Sequence, residues 1–171
     1  MEILRTDRLL LREFEERDAP GFFALNADPE VLRYTGDSPF DTEAASLELI
    51  RNYHWYSTHG YGRWTMERLS DGEQIGWCGL RLQPEGDVDL GYRLHHRHWG
   101  QGYATEAAQA CVVHGFERLG LAEIIGRVDP ANFASARVLE KVGMSFWKEI
   151  PDAHNGRSGC THVYRIQRGV V

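Results

Sequence analysis

The segment from Asp87 to Thr105, DVDLGYRLHHRHWGQGYAT, runs from an alternating apolar strand through a glycine-punctuated loop straight into a helix. Arg97, Gly100 and Gly102 spell R-x-x-G-x-G across that loop. A helix beginning near Tyr103 leaves its first backbone NH groups unpaired. Lying at the positive end of the helix dipole, they hold a pyrophosphate without any side-chain charge. Glycine lets the backbone come close to such a ligand and adopt dihedrals that other residues resist. The loop reads as an anion cradle, although on this motif alone a glycine-rich turn without a ligand explains the same residues. Two better-known phosphate loops fail on residue count. A Walker loop needs Lys and then Ser or Thr after its last glycine, where this chain has Tyr103 and Ala104. A dinucleotide fingerprint needs a small residue where Thr105 stands and an acidic partner further on in a second βαβ unit.

About thirty residues downstream the pattern repeats as strand then helix. Glu123 to Val128, EIIGRV, is a short apolar strand; Asp129-Pro130 predicts a helix start, with the helix running through Val142 and closed by Gly143. Within it stand Asn132, Ser135, Leu139, Lys141 and Gly143, in N-x-x-S-x-x-x-L-x-K-x-G. Taken with the cradle, and with an opening that reads TDRLLLREFEERD from Thr6 to Asp18 and DPEVLRY from Asp28 to Tyr34, the chain resembles the GNAT superfamily of acyl-CoA-dependent N-acetyltransferases. It is most similar to the branch that contains the ribosomal-protein N-terminal acetyltransferases, and the resemblance covers nearly the whole chain. It implies an α/β (α+β) GNAT fold: a central twisted mixed sheet of about seven strands flanked by helices, with two splayed parallel strands holding acyl-CoA.

The rest of the chain agrees. Arg8 to Phe14 reads as a strand, Arg17 to Ala27 as a helix and Thr42 to Ser57 as a second helical region. Gly62 to Leu69, Gln74 to Gln83 and Val88 to Leu94 are strands parted by Ser70-Asp71-Gly72 and Pro84-Glu85-Gly86-Asp87, which predicts an antiparallel meander. Met144 to Ile150 and Cys160 to Gln167 are the closing strands, and the polar loop Pro151 to Gly159 between them is expected to be mobile. In the helix after the cradle, Ala104, Ala107, Ala108, Cys111, Gly115 and Leu119 recur at three and four, a stripe of small residues that lets the helix lie close on a sheet. With 171 residues, 42% of them hydrophobic, residues 1–171 are expected to form one domain. No apolar run reaches the roughly 20 residues of a membrane span, and the N-terminus lacks a signal-peptide core; a cytoplasmic location is expected. Cys78, Cys111 and Cys160 show no metal-ligand spacing, and Cys111 falls on the apolar stripe as buried filler. A net charge of −6 argues against a nucleic-acid surface and for a cationic acceptor.

The resemblance implies where acetyl-CoA sits. The backbone of Tyr92, Arg93 and Leu94 faces the pantetheine arm. The amides of Trp99, Gly100, Gln101, Gly102, Tyr103, Ala104 and Thr105 take the pyrophosphate, with Arg97 at the rim. Asn132 bonds to the arm from the other side, or else simply caps its helix. Lys141 reaches a phosphate, or else is a solvated helix lysine. Family chemistry is direct attack of an amine on the thioester, which sets three tasks: accept the ammonium proton, stabilise the oxyanion and protonate the departing thiolate. A backbone NH near Tyr92 or Arg93 is the implied oxyanion donor, and Ser135, where many relatives carry a tyrosine, is the candidate acid. A hydroxyl bonding back to its own helix is the alternative for Ser135. Strand alternation puts Asp87, Asp89, Gly91 and Arg93 on one face, which makes Asp89 the candidate base, unless it is a solvated edge carboxylate; Glu67 is the reserve. An α-amine, with a pKa of about 7.7 to 8.0, needs a weaker base than a lysine at about 10.4. The first-choice acceptor is therefore a protein N-terminal α-amine, with a small amine (amino sugar, polyamine or amino acid) or a noncatalytic acyl-CoA-binding role as alternatives. His95, His96 and His98 read as surface or phosphate-side donors, so no metal is expected. Tyr53, Trp55, Tyr56, Tyr61 and Trp64 read as core packing or as the wall of an acceptor groove. An exposed aromatic cluster would permit a homodimer.

Overall fold

Two turns predicted from composition reverse the chain between three long strands. β3 (Arg63–Arg68), β4 (Gln74–Leu82) and β5 (Val88–Leu94) form the antiparallel meander. The computed structural model describes residues 1–151 and 159–169. The loop expected to be mobile falls almost wholly outside them. β1 (Glu2–Arg5) and β2 (Leu9–Arg12) extend the meander on one side. On the other, β6 (Glu123–Val128) runs parallel to β5, followed by the antiparallel pair of β7 (Ser145–Pro151) and β8 (Cys160–Gln167). Among the described residues the sheet has eight strands in the order β1-β2-β3-β4-β5-β6-β8-β7. The extra strand beyond the expected seven is β1, four residues too short to show a period, which forms because β2 offers it an edge.

The helices are α1 (Ala19–Ala27), α2 (Pro29–Leu32), α3 (Glu43–Arg51), α4 (Trp55–His59), α5 (Tyr103–Glu117) and α6 (Phe133–Lys141). The helical region expected from Thr42 to Ser57 is divided into α3 and α4. The break lets Tyr53 and Tyr56 both turn to the first residue of β3: the Arg63 amide donates to the Tyr53 hydroxyl at 2.6 Å, and the Tyr56 hydroxyl donates to the Arg63 carbonyl. The helix expected from Asp129 starts later, because Asp129 and Pro130 belong to a turn in which the Asp129 carboxylate accepts from the Ala131 amide at 2.8 Å. No helix among the described residues is long and apolar enough to cross a membrane.

α5 lies on one face of the sheet. Ala107, Ala108, Cys111 and Gly115 of its predicted stripe are buried against Trp64, Cys78, Leu80 and Ile124. A Cβ on Gly115 would stand 2.7 Å from the Ile124 side chain, so glycine is what lets helix and sheet approach. The opposite face carries α1 and α3, with Phe22, Leu25, Val31 and Ile50 packed against Phe14 and Trp77.

That second layer is pinned to the sheet by a buried ion pair. Asp18 is 2% exposed and takes both Nη atoms of Arg12, at 2.9 and 2.8 Å, together with the Thr65 hydroxyl at 2.7 Å and the Glu15 amide at 2.9 Å. The same demand for Asp18 explains why the expected helix from Arg17 opens as a 3-10 turn over Glu16–Asp18 before α1. Removing one partner strands the other charge in a buried setting. Asp18→Ala is therefore expected to cost about 3 to 5 kcal/mol of unfolding free energy, read from urea denaturation at neutral pH, and a loss below about 1 kcal/mol would show that the pair is not a structural anchor.

Candidate active site

β5 and β6 are held together at one register position, Asp89 opposite Ile125, and separate beyond it. Every other neighbouring pair in the sheet shares at least three. A cavity of about 790 Å³ passes through the opening, lined by Leu90 to Arg93 of β5 and by Arg127 and Val128 of β6. Neighbouring residues of a strand aim their backbone groups at opposite neighbours. The Asp87 carbonyl and the His95 amide both bond to the β4 side, so Leu90, Tyr92 and Leu94 present their backbone to the opening. Of the two amides expected as oxyanion donors, that of Tyr92 faces the opening and that of Arg93 faces β4.

The cradle follows directly. His96–His98 form a 3-10 turn, and Gly100 and Gly102 adopt φ of 73° and 83°, the left-handed region that favours glycine. The amides of Gly100 through Thr105 make no hydrogen bond among the described residues, and the first helical bond is Glu106 to the Gly102 carbonyl. Trp99 departs from the expectation: its amide is already committed to the His96 carbonyl at 3.1 Å, while its indole donates to the Leu94 carbonyl at 2.9 Å. Trp99 therefore shapes the loop rather than donating its amide to an anion.

The cradle is also braced by residues the sequence reading overlooked. Arg8 donates to the Gln101 carbonyl at 3.0 Å and to Glu106 at 2.6 Å, and its guanidinium lies 4.4 Å from the Tyr103 ring centroid. The Thr6 hydroxyl donates to the same Glu106 at 2.6 Å. Burial works to raise the Glu106 pKa, yet the bonds from Thr6 and Arg8 outweigh it and hold the carboxyl below its ordinary value. Arg97, expected at the rim, is tied to Glu73 at 2.6 Å, and His98 shares that carboxylate oxygen at 3.2 Å. Burial, with Arg97 nearby, pushes His95 down to about 4, so it is neutral at working pH. Lys141 is exposed.

On the α5 and α6 side of the opening, Asn132 is the N-cap of α6, its side-chain oxygen accepting from the Ser135 amide at 3.2 Å. Of its two expected roles, capping is thus occupied, and only its amide NH₂ is left to meet a ligand. Ser135 bonds to Tyr92 rather than back to its own helix. The two hydroxyl oxygens are 2.9 Å apart, and the Tyr92 hydroxyl also lies 2.8 Å from the Ser135 carbonyl. Burial holds the Tyr92 phenol well above its ordinary value, so this pair stays protonated into alkaline solution.

On the α1 and α3 side lie Asp89, Gly91 and Arg93, sharing a face as alternation predicts. Asp89 is not a solvated edge group: it is 7% exposed, and one carboxylate oxygen takes Arg63 Nη2 at 2.5 Å. The other oxygen, Oδ1, is buried without a hydrogen-bond partner. Arg63 lies flat over Gly91, where a Cβ would meet its Nη2 at 2.5 Å. Arg93 is engaged by Asn26 at 2.5 Å and Asp37 at 2.6 Å. The reserve base, Glu67, is bound by Arg12 at 3.0 Å and Arg17 at 3.3 Å and does not line the cavity. Of the aromatic cluster, Trp64 is core and Tyr53 forms part of the cavity wall.

Compared with known proteins, residues 8–145 match the family described as acetyltransferase (GNAT) domain. The Bacillus licheniformis protein named uncharacterized N-acetyltransferase p20 is 36% identical over 169 residues, covering 96% of this chain and 94% of its own. A GNAT-family acetyltransferase structure from Bacillus anthracis is similar at a TM-score of 0.83 and 26% identity, covering 98% of each chain. Likeness in fold alone extends to two structures solved with coenzyme A. RimL, a ribosomal L7/L12 α-N-protein acetyltransferase, has a TM-score of 0.78 at 17% identity over 98% of each chain. Spermidine N-acetyltransferase from Vibrio cholerae has a TM-score of 0.79 at 20% identity over 95% of this chain and 96% of its own.

The cradle can be tested apart from catalysis. A β-branched side chain at the Gly102 φ of 83° is strained whatever the space around it, and its Cβ would touch Arg8 at 3.4 Å. Gly102→Val is expected to weaken coenzyme A binding about tenfold or more by calorimetric titration, while an unchanged affinity would remove the loop from the ligand site.

Proposed function

The chain belongs to the GNAT family of acetyl-CoA-dependent N-acetyltransferases, and on that premise we propose that its acceptor is a primary amine of the α-amine type, a protein N-terminus being the first choice. The amine approaches from the α1 and α3 side of the opening and the thioester from the α5 and α6 side. The observation that carries this reading is the buried, unmatched Oδ1 of Asp89, a residue that lines the same cavity as Tyr92.

Each chemical task then has a group. Asp89 Oδ1 accepts a proton from the incoming ammonium, directly or through water. An α-amine, with a pKa of about 7.7 to 8.0, gives up its proton to a carboxylate more readily than an amine of about 10.4. The nitrogen lone pair attacks the thioester carbon, and the Tyr92 amide donates to the oxyanion that forms. As the C–S bond breaks, the second proton shed by the attacking nitrogen passes to the departing sulfur through the Ser135 hydroxyl, which gives one proton to sulfur and takes the other, while Tyr92, kept protonated by burial, orients it. The cradle amides from Gly100 to Thr105 anchor the pyrophosphate, and the Asn132 NH₂ meets the pantetheine arm. A small amine acceptor is the second reading, for which a cavity of about 790 Å³ leaves room.

Free-thiol release from acetyl-CoA against a panel of amines and peptides tests the assignment, with Ser135→Ala expected to lower kcat by about 100-fold or more. Acetyl-CoA binding with no release for any amine would instead mark a binding protein. In a second experiment, Asp89→Asn is expected to lower kcat/KM at neutral pH and to recover toward the parent value as pH rises through the acceptor's own pKa, because the amine then arrives unprotonated. A deficit that is the same at every pH would assign Asp89 to structure instead.

A further inference from the structure

Four arginines line the cavity: Arg63, Arg81, Arg93 and Arg127. Three are held by carboxylates of the chain: Arg63 by Asp89, Arg93 by Asp37 and Arg127 by Glu85. Arg81 has no ion-pair or hydrogen-bond partner among the described residues, and its guanidinium rests 5.9 Å from the Trp55 ring centroid. One acceptor is unmatched in the same way, the buried Oδ1 of Asp89. Strand register places Arg81 directly opposite Asp89. Both side chains therefore rise on the same face, with Cβ atoms about 5 Å apart. Opposite charges so placed would ordinarily pair. Here Arg63 already holds the other Asp89 oxygen at 2.5 Å, and Arg81 leans toward Trp55. A cation and an anion acceptor, on paired strand positions of the cavity wall, are left unpaired with each other.

We propose that the acceptor is an amine carrying a carboxylate a few bonds away, its ammonium facing Asp89 Oδ1 and its carboxylate facing Arg81. This rests on the acetyl-transfer reading above and narrows its substrate class. A planar guanidinium offers a carboxylate two parallel donors, which fixes orientation as well as charge. A polyamine, by contrast, would bring a second cation to Arg81, a like-charge contact. Free α-amino acids carry the required pair of groups, as does a peptide whose first or second residue is acidic.

The test measures kcat/KM by thiol release for L-amino acids, for their carboxamides, for short peptides with Glu or Gln at the first and second positions, and for spermidine. Dissociation constants of the same amines from the protein saturated with coenzyme A are measured in parallel. Carboxylates are expected to surpass carboxamides about tenfold or more. In Arg81→Gln that ratio is expected to fall to about one, and in Arg81→Lys to be partly kept. A lead for free amino acids, or for Glu over Gln peptides, then identifies the source. Equal use of carboxylate and carboxamide, a preference for spermidine, or an Arg81→Gln variant that loses both substrates alike would overturn the inference, while leaving the transferase intact wherever thiol is released. Binding that discriminates without thiol release from any amine would keep the zwitterion site and sink the transferase reading.

Discussion

Everything about the site depends on the failure of β5 and β6 to stay paired after Asp89 and Ile125. Backbone groups turned into a protein interior without partners are costly, so strands that part inside a sheet must be held apart and offered another partner. α6 is the wedge. Its Leu139 sits so tightly on Gly126 that a Cβ there would come within 2.6 Å of it. From the same helix Ser135 grips the Tyr92 hydroxyl, fixing β5 to α6 across the opening rather than to β6. The exposed edge of β5 is then a template for something strand-like, and the proposed pantetheine arm, rich in amides, fits that description.

Arg63 plays the corresponding part on the other face. Its backbone receives the tyrosines of the α3–α4 corner, and its guanidinium reaches the Gly79 carbonyl, the Asp89 carbonyl and the Asp89 carboxylate. Two glycines make this route possible. Gly91 gives the guanidinium a floor, and Gly79 lets β3 and β4 pass so closely that a Cβ would meet the Gly62 carbonyl at 2.2 Å. One residue thus links the cavity wall, the sheet and the carboxylate proposed for proton transfer, and the oxygen it leaves unfilled is where the acceptor is proposed to bind.

Legibility in the sequence followed the range of the interactions. The meander, the cradle and the α5 stripe depend on neighbours in sequence: turn residues, glycines at fixed offsets, small side chains at three and four. All of these could be read. β1 could not, because four residues carry no period and the strand exists only through its partner. The α3–α4 break was invisible for a similar reason, since the tyrosines that cause it answer to a strand seven and ten residues on. Within the site, strand alternation gave the correct face for Asp89, but nothing local revealed Arg63, 26 positions away, as the group that buries and holds it. The brace on the cradle spans nearly 100 residues, from Thr6 and Arg8 to Glu106, and left no trace in any motif.

An opening that runs through a sheet has two mouths. In the proposed arrangement the acyl donor uses the one beside α5 and the acceptor the one beside α1, so neither blocks the other's path. The two substrates can load in either order, and the spent donor can depart while the acetylated amine is still held. Such a site has no need to store the acetyl group on itself between visits, and its initial-rate plots should intersect rather than run parallel.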